Sequence, residues 1–127
     1  MKKFIKITFN IPGFHYWDNA PDDFIYLKDN HRHIFYWTVL VNIEKDNREI
    51  EFIDLKDLSL ESIKNCYLCS TFGDSQLDFG NYSCEIIAQK SKEIIEHSYF
   101  DVWNKKISIY SIEVTEDNEN GALIIWG

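Results

Sequence analysis

The chain has 127 residues, 45% of them hydrophobic and 16% aromatic, which suits one domain spanning 1–127 with a real apolar core. A formal charge of -8, from 21 acidic residues against 13 basic ones, gives no electrostatic footprint for a phosphate backbone or an anionic bilayer, so nucleic acid and membrane are not expected as partners. Met1 to Lys6 alternates charged and apolar residues, and no window approaches the ~18 uninterrupted apolar residues of a membrane span, so a soluble cytoplasmic protein is expected.

Residues 3 to 10 place Ile5, Ile7 and Phe9 on one face and Lys6, Thr8 and Asn10 on the other, the period of a half-buried strand. Pro12-Gly13 is expected to end it. From His31 to Ile43 the chain is rich in aromatic and β-branched residues and reads as a long second strand, with positions 35, 37, 39, 41 and 43 facing inward. Lys45-Asp46-Asn47-Arg48 is turn material. Residues 49 to 53 look extended and lead into a helix beginning near Asp54, whose apolar side is Leu55, Leu58, Leu60 and Ile63.

Cys66 to Tyr82, with Gly73, Gly80 and several small polar residues, reads as a loop long enough to form part of a site wall. Ser83 suits a helix N-cap and Glu85 the first turn. The stripe Ile87, Ala88, Ser91, Ile94, Ile95 and Ser98 predicts a helix over 83–98. Lys105 to Glu116 and Ala122 to Trp126 read as the last two strands, with Asn120-Gly121 as the hairpin signal between them. The order ββ, helices, ββ is an α+β pattern with helices on one face of an antiparallel sheet.

His31 and His33 lie two apart in an extended segment, so their imidazoles project to one side with Cα atoms roughly 7 Å apart. If the first two strands pair, His15 returns near the start of the second. Three neutral imidazoles with an open fourth position are the ligand set of a catalytic zinc. A partly exposed polar entry to the sheet is the plainer use of a His-x-His. Glu116 shares a face with Ile112 and Val114, and a carboxylate at the rim of such a face can accept two parallel hydrogen bonds from the amino-amidine edge of a guanine or pterin. A solvated acidic turn with Asp117 and Glu119 is the alternative.

Cys66-Tyr67-Leu68-Cys69 is a CxxC without a second CxxC or a βαβ setting, and three cysteines imply no disulfide framework, so these read as incidental thiols. The tryptophans at 17, 37, 103 and 126 read as core and interface fillers without a site role.

Taken in order, several segments resemble the tetrahydropterin synthases of the tunnelling fold. Phe9-Asn10-Ile11-Pro12-Gly13-Phe14-His15 is similar to the family's first-strand end, and His31-Arg32-His33 resembles its His-Gly-His. Ile50-Glu51-Phe52-Ile53-Asp54-Leu55-Lys56 resembles its Asp-Phe-x-x-Leu-Lys, and Tyr82-Ser83-Cys84-Glu85-Ile86-Ile87-Ala88 its Pro-Thr-x-Glu-x-x-Ala helix opening. Ile112-Glu113-Val114-Thr115-Glu116 is similar to its Val-x-Val-x-Glu.

The resemblance implies a tunnelling-fold domain with a four-stranded antiparallel sheet in the order ββααββ and two helices on one face. It implies zinc on His15, His31 and His33, and Glu116 as the anchor of a purine- or pterin-type ring. It also implies edge-to-edge assembly into a homo-oligomer, which the open edges of so small a sheet favour independently.

The departures are informative. The family's catalytic cysteine, four residues before its His-x-His, falls on Leu27, and residues 57 to 82 contain no histidine to match its Asp-His pair. Arg32 replaces the family's glycine and brings a guanidinium that can pair with a ligand phosphate or carboxylate, or form a plain surface salt bridge. The expected ligand-binding residues are therefore Glu116, Arg32 and Glu119.

Two functions stay open. One is a binding protein that captures a purine, pterin or nucleotide without turnover, as in a phage protein that sequesters a host defence signal. The other is a zinc-dependent 6-pyruvoyl- or 6-carboxytetrahydropterin synthase-like lyase, for which Asp18, Asp22, Asp23 or Glu119 would have to supply acid and base. A purely structural oligomer subunit is the third and plainest option.

Overall fold

A computed structural model describes residues 1–45, 49–68 and 76–127. Its elements are β1 (Lys3–His15), a 3-10 helix (Asp22–Lys28), β2 (His31–Ile43), α1 (Phe52–Tyr67), β3 (Leu77–Asp78), α2 (Cys84–Trp103), β4 (Ile109–Glu116) and β5 (Asn120–Ile125). The α+β class is as expected, whereas the four-stranded ββααββ sheet with two helices is not what forms. Among the described residues the sheet has five strands in the order β3-β1-β2-β4-β5. β3 pairs parallel with Gly13 and Phe14, while the other strands pair antiparallel. Two residues are too few for a period to show in the sequence, which is why this strand escapes a pattern-based reading, and the seven-residue 3-10 helix has no buried residue to mark it.

β1 does not stop at Pro12-Gly13. It runs on to His15 and stays in register with β2 from Lys3↔Ile43 to His15↔His31. At Pro12 the strand is still an edge on its other side, since β3 joins only at Gly13, and an edge tolerates a residue without an N–H. Gly13 is required by close approach: a Cβ there would lie 3.0 Å from both the Leu77 carbonyl oxygen and a Phe79 ring carbon.

The inner face of β2 carries the core. Phe35, Trp37, Val39 and Val41 are fully or almost fully buried and pack with Ile7, Phe9 and Ile11 of β1 and with Ile112 and Val114 of β4. Each such side chain contributes about 1.5–3 kcal/mol by leaving water. The helices cover this face, α1 against β1 and α2 against β4 and β5, and they also pack on each other. Leu55 and Ile63 are the buried apolar residues of α1, and Ile87, Ala88 and Ile95 belong to the buried stripe of α2. Ser91 is small enough to lie over Trp37 and accepts the indole N–H at 3.1 Å.

Helix limits differ from the sequence reading for reasons of capping. α1 begins at Phe52, not near Asp54, because the Glu51 side chain accepts the Ile53 N–H. α2 opens as expected, with Ser83 accepting the Ile86 N–H, but continues to Trp103, where Asn104 adopts a left-handed conformation and ends it. β4 accordingly starts at Ile109 rather than 105.

The β4–β5 turn is centred on Asp117 and Asn118, both at positive φ, with the Glu119 N–H donating to the Glu116 carbonyl at 3.0 Å. These are the dihedrals of a primed hairpin turn. The Asn120-Gly121 pair lies within β5 instead, where Gly121 is needed because any Cβ would collide with the backbone of Val114 and Thr115.

Of the turn expected at 45–48, residues 46–48 lie outside the described residues, and of the CxxC only Cys69 does, Cys66 and Tyr67 forming the end of α1. Among those described, no helix is long and apolar enough to cross a membrane.

Candidate metal centre and cavity

The β1–β2 register sets His15 directly opposite His31 and Gly13 opposite His33. Because His31, His33 and Phe35 alternate onto the inner face, the three imidazoles collect at one end of the core against the Phe35 ring. Their ring centroids are 4.5 to 5.5 Å apart. One ligand nitrogen from each ring lies within 4.8 Å of the others, so the set can hold a metal ion.

The second nitrogen of each ring is committed. His15 Nδ1 lies 2.8 Å from the Tyr82 carbonyl oxygen, His31 Nδ1 lies 3.0 Å from the Asp29 carbonyl oxygen, and His33 Nδ1 lies 2.7 Å from Asp117 Oδ2. Carbonyls and carboxylates only accept, so each Nδ1 donates and each neutral ring keeps a lone pair on Nε2. Such outer partners are what orients histidine ligands in metal sites.

Backbone contacts hold these partners in place. The Phe79 N–H donates to the Phe14 carbonyl at 3.0 Å and the Tyr16 N–H to the Gly80 carbonyl at 2.9 Å, which ties residues 79–82 alongside the end of β1. Asp117 is tied twice to the start of β2. Its N–H donates to the Ile34 carbonyl at 2.7 Å, and its Oδ1 accepts the Ile34 N–H at 2.9 Å.

β4 adds Glu116, opposite Phe35 in the register. Its Oε1 is 3.0 Å from His15 Nε2 and its Oε2 is 3.4 Å from His33 Nε2. At 3.0 Å the first contact is an ion pair when His15 is protonated, whereas in the neutral ring with its proton on Nδ1 the buried Nε2 is a lone pair without a hydrogen-bond partner among the described residues. Such an orphaned lone pair is what a cation in the cluster would satisfy, and the residues therefore fit a metal.

Without a metal, charges redistribute within the cluster. Burial pushes the His15 pKa down, but the adjoining Glu116 carboxylate and the Tyr82 carbonyl outweigh it and hold the imidazole above its ordinary value. His15 in turn holds Glu116 below the usual carboxylate value, against the effect of burial and with help from His33 and His31. Asp117 is held low by the Ile34 N–H first and by His33 second.

A cavity of about 610 Å³ opens beside the cluster, with His15, His31 and Glu116 in its wall. Trp17, Leu27, Tyr82 and Cys84 line it as well. The Cys84 thiol lies 3.8 Å from Glu116 Oε1, and burial, followed by the charges of Glu116 and Glu85, pushes it up to about 12. It stays a neutral thiol at neutral pH.

Several expected site residues are elsewhere. Arg32 is exposed, one residue out of phase with His31 and His33, and does not line the cavity. Glu119 is exposed beyond the turn, and Asp18, Asp22 and Asp23 are exposed near the 3-10 helix; none lines the cavity. Conversely Trp17, Cys84, Asp117 and the carbonyls of Asp29 and Tyr82 take places that the sequence reading did not assign.

No protein-family model matches the sequence, and no curated protein matches it. Among solved structures, the crystal structure of an uncharacterized protein, WS1659 from Wolinella succinogenes, is similar, with a TM-score of 0.66 and 12% identity over 100% of this chain and 99% of that one. At that identity the likeness concerns the fold alone.

Proposed function

We propose that this protein binds a purine- or pterin-type ligand, nucleotides included, in the cavity beside a zinc ion held by His15, His31 and His33. In this reading the chain is a tunnelling-fold relative of the tetrahydropterin synthases that has diverged from their reaction. The observation that carries it is that one nitrogen from each of three imidazoles lies within 4.8 Å of the others, with each Nδ1 hydrogen-bonded to an outer acceptor, at the edge of a cavity of about 610 Å³. That volume suits a bicyclic heterocycle with a substituent. A bound zinc would supply Lewis-acid polarisation of a ligand oxygen. The Glu116 carboxylate, in the same wall, is placed to accept paired N–H donors from the ring.

Binding without turnover is favoured over the lyase by what the cavity lacks. The position of the family's nucleophile is Leu27, and the thiol that does line the cavity, Cys84, is pushed up to about 12 and so is no ready nucleophile. None of Asp18, Asp22, Asp23 and Glu119 reaches the cavity to act as acid or base. The lyase reading keeps the metal set in its favour, and among the described residues Glu85, rather than any of the four expected acids, is the further carboxylate in the cavity wall that could serve a proton transfer.

Assembly belongs to the same proposal. β5 is an edge strand with exposed Leu123 and Ile125, and among the described residues β3 pairs with β1 at Gly13 and Phe14 alone. The sheet so described ends on strands whose edges another copy could extend.

Calorimetric titration of the zinc-loaded protein with guanine nucleotides and with reduced pterins tests the binding. Saturable binding with the ligand recovered unchanged is expected. Conversion of the ligand would favour the lyase, and no binding of either class would contradict the proposal.

A further inference from the structure

Glu116 stands closer to the imidazoles than a ring anchor needs to. Its two oxygens face two different nitrogens, Oε1 at 3.0 Å from His15 Nε2 and Oε2 at 3.4 Å from His33 Nε2. Both nitrogens present lone pairs when their rings are neutral, because the Nδ1 protons go to the Tyr82 carbonyl and to Asp117. Anionic oxygens at that range from lone pairs repel unless positive charge lies between them, either an added proton on the ring in the metal-free protein or a cation held by the cluster.

Ligand atoms bound at about 2.0–2.2 Å around a tetrahedral zinc are about 3.4 Å from one another. The Oε2–His33 separation of 3.4 Å matches that edge length, and the Oε1–His15 separation of 3.0 Å is somewhat shorter. The Cys84 thiol at 3.8 Å from Oε1 gives the carboxylate an outer hydrogen-bond donor, as metal-bound carboxylates commonly have. The backbone of Glu116 is fixed as well, paired with Phe35 on one side and Asn120 on the other.

We infer that Glu116 is a fourth protein ligand, which closes the metal site while the cavity is empty. The inference rests on the proposed three-histidine site and deepens it. The family resemblance gives this carboxylate to the ring alone, whereas the distances give it to the metal first. A ligand that needs either the metal or the carboxylate must displace Glu116, so the metal has no open position until the cavity is filled.

Cobalt(II) substituted into the full chain tests this, with azide as a small probe of an open coordination position. The wild-type protein should show the intense visible bands of four-coordinate cobalt and leave them unchanged on adding azide. Glu116→Gln and Glu116→Ala should alter those bands, respond to azide, and hold zinc at least about tenfold more weakly in competition with a chelator. The wild-type arm needs no variant to fold. Azide-sensitive bands in the wild type, or unchanged zinc affinity in the folded variants, would overturn the inference while leaving the three-histidine site intact. A wild-type chain that takes up neither metal would overturn both.

Discussion

Asp117 Oδ2 lies 2.7 Å from His33 Nδ1 while the other oxygen of the same carboxylate accepts the Ile34 N–H at 2.9 Å. One side chain, placed by a hairpin turn at the end of β4, therefore fixes both an imidazole at the start of β2 and the backbone next to it. A candidate metal ligand is thus aimed by a turn remote from it in sequence.

Replacing Asp117 with Ala removes that aim without touching a ligand atom. Zinc affinity is expected to fall by about 10- to 100-fold, the usual cost of losing an outer partner of a ligating histidine. Asp117→Asn keeps an acceptor and a residue type that tolerates the positive φ of 55° here, so it should recover part of the loss. Chelator competition on both variants is the measurement, and equal affinity in the alanine variant and the wild type would refute the assigned role.

The His15–Glu116 pair sets a pH dependence for the metal-free protein. His15 is raised above 6.5, so its contribution is fully present below pH 6.5 and is lost as pH rises through the folded value. Glu116 is lowered below 4.5, so its contribution is present above pH 4.5 and is lost as pH falls through the folded value. The pair stabilises most between those two pH values.

Thermal melting of chelator-treated wild type, less that of Glu116→Gln, should therefore peak in this window. Zinc-loaded protein should instead lose stability as pH falls through the raised His15 value, because protons compete with the metal for the imidazoles. Parallel profiles with and without zinc would contradict the assignment.

Much of this arrangement was legible in the sequence, and the parts that were not share a cause. β2 and the N-terminus of α2 are visible because alternation and an N-cap serine are local signals. His31 and His33 share a face by the same alternation, and the pairing that returns His15 to them is a simple consequence of two adjacent antiparallel strands. Arg32 stands where the resemblance has a glycine between the two histidines, but the period of the strand sets it out of phase with them, and it is exposed and outside the cavity wall. Asp117 looked like turn solvation because its partners, His33 and Ile34, are more than 80 residues away in sequence. Cys84 looked like a mere helix opener for the same reason, since only the packing of α2 beside β4 brings it to Glu116.

Edge-to-edge assembly predicts that the protein sediments well above its chain mass of 15.1 kDa. Analytical ultracentrifugation over a range of concentrations measures this directly. A single species of chain mass throughout would contradict assembly through the edges of β5 and β1.

The central claim is that His15, His31 and His33 form one metal site, and metal content tests it most directly. Protein purified without chelator and then supplied with zinc should retain close to one zinc per chain after desalting. His31→Ala with His33→Ala should retain almost none while keeping the far-ultraviolet dichroism of the wild type. A folded double variant that still carries a full zinc, or a wild type that retains none, would contradict the account.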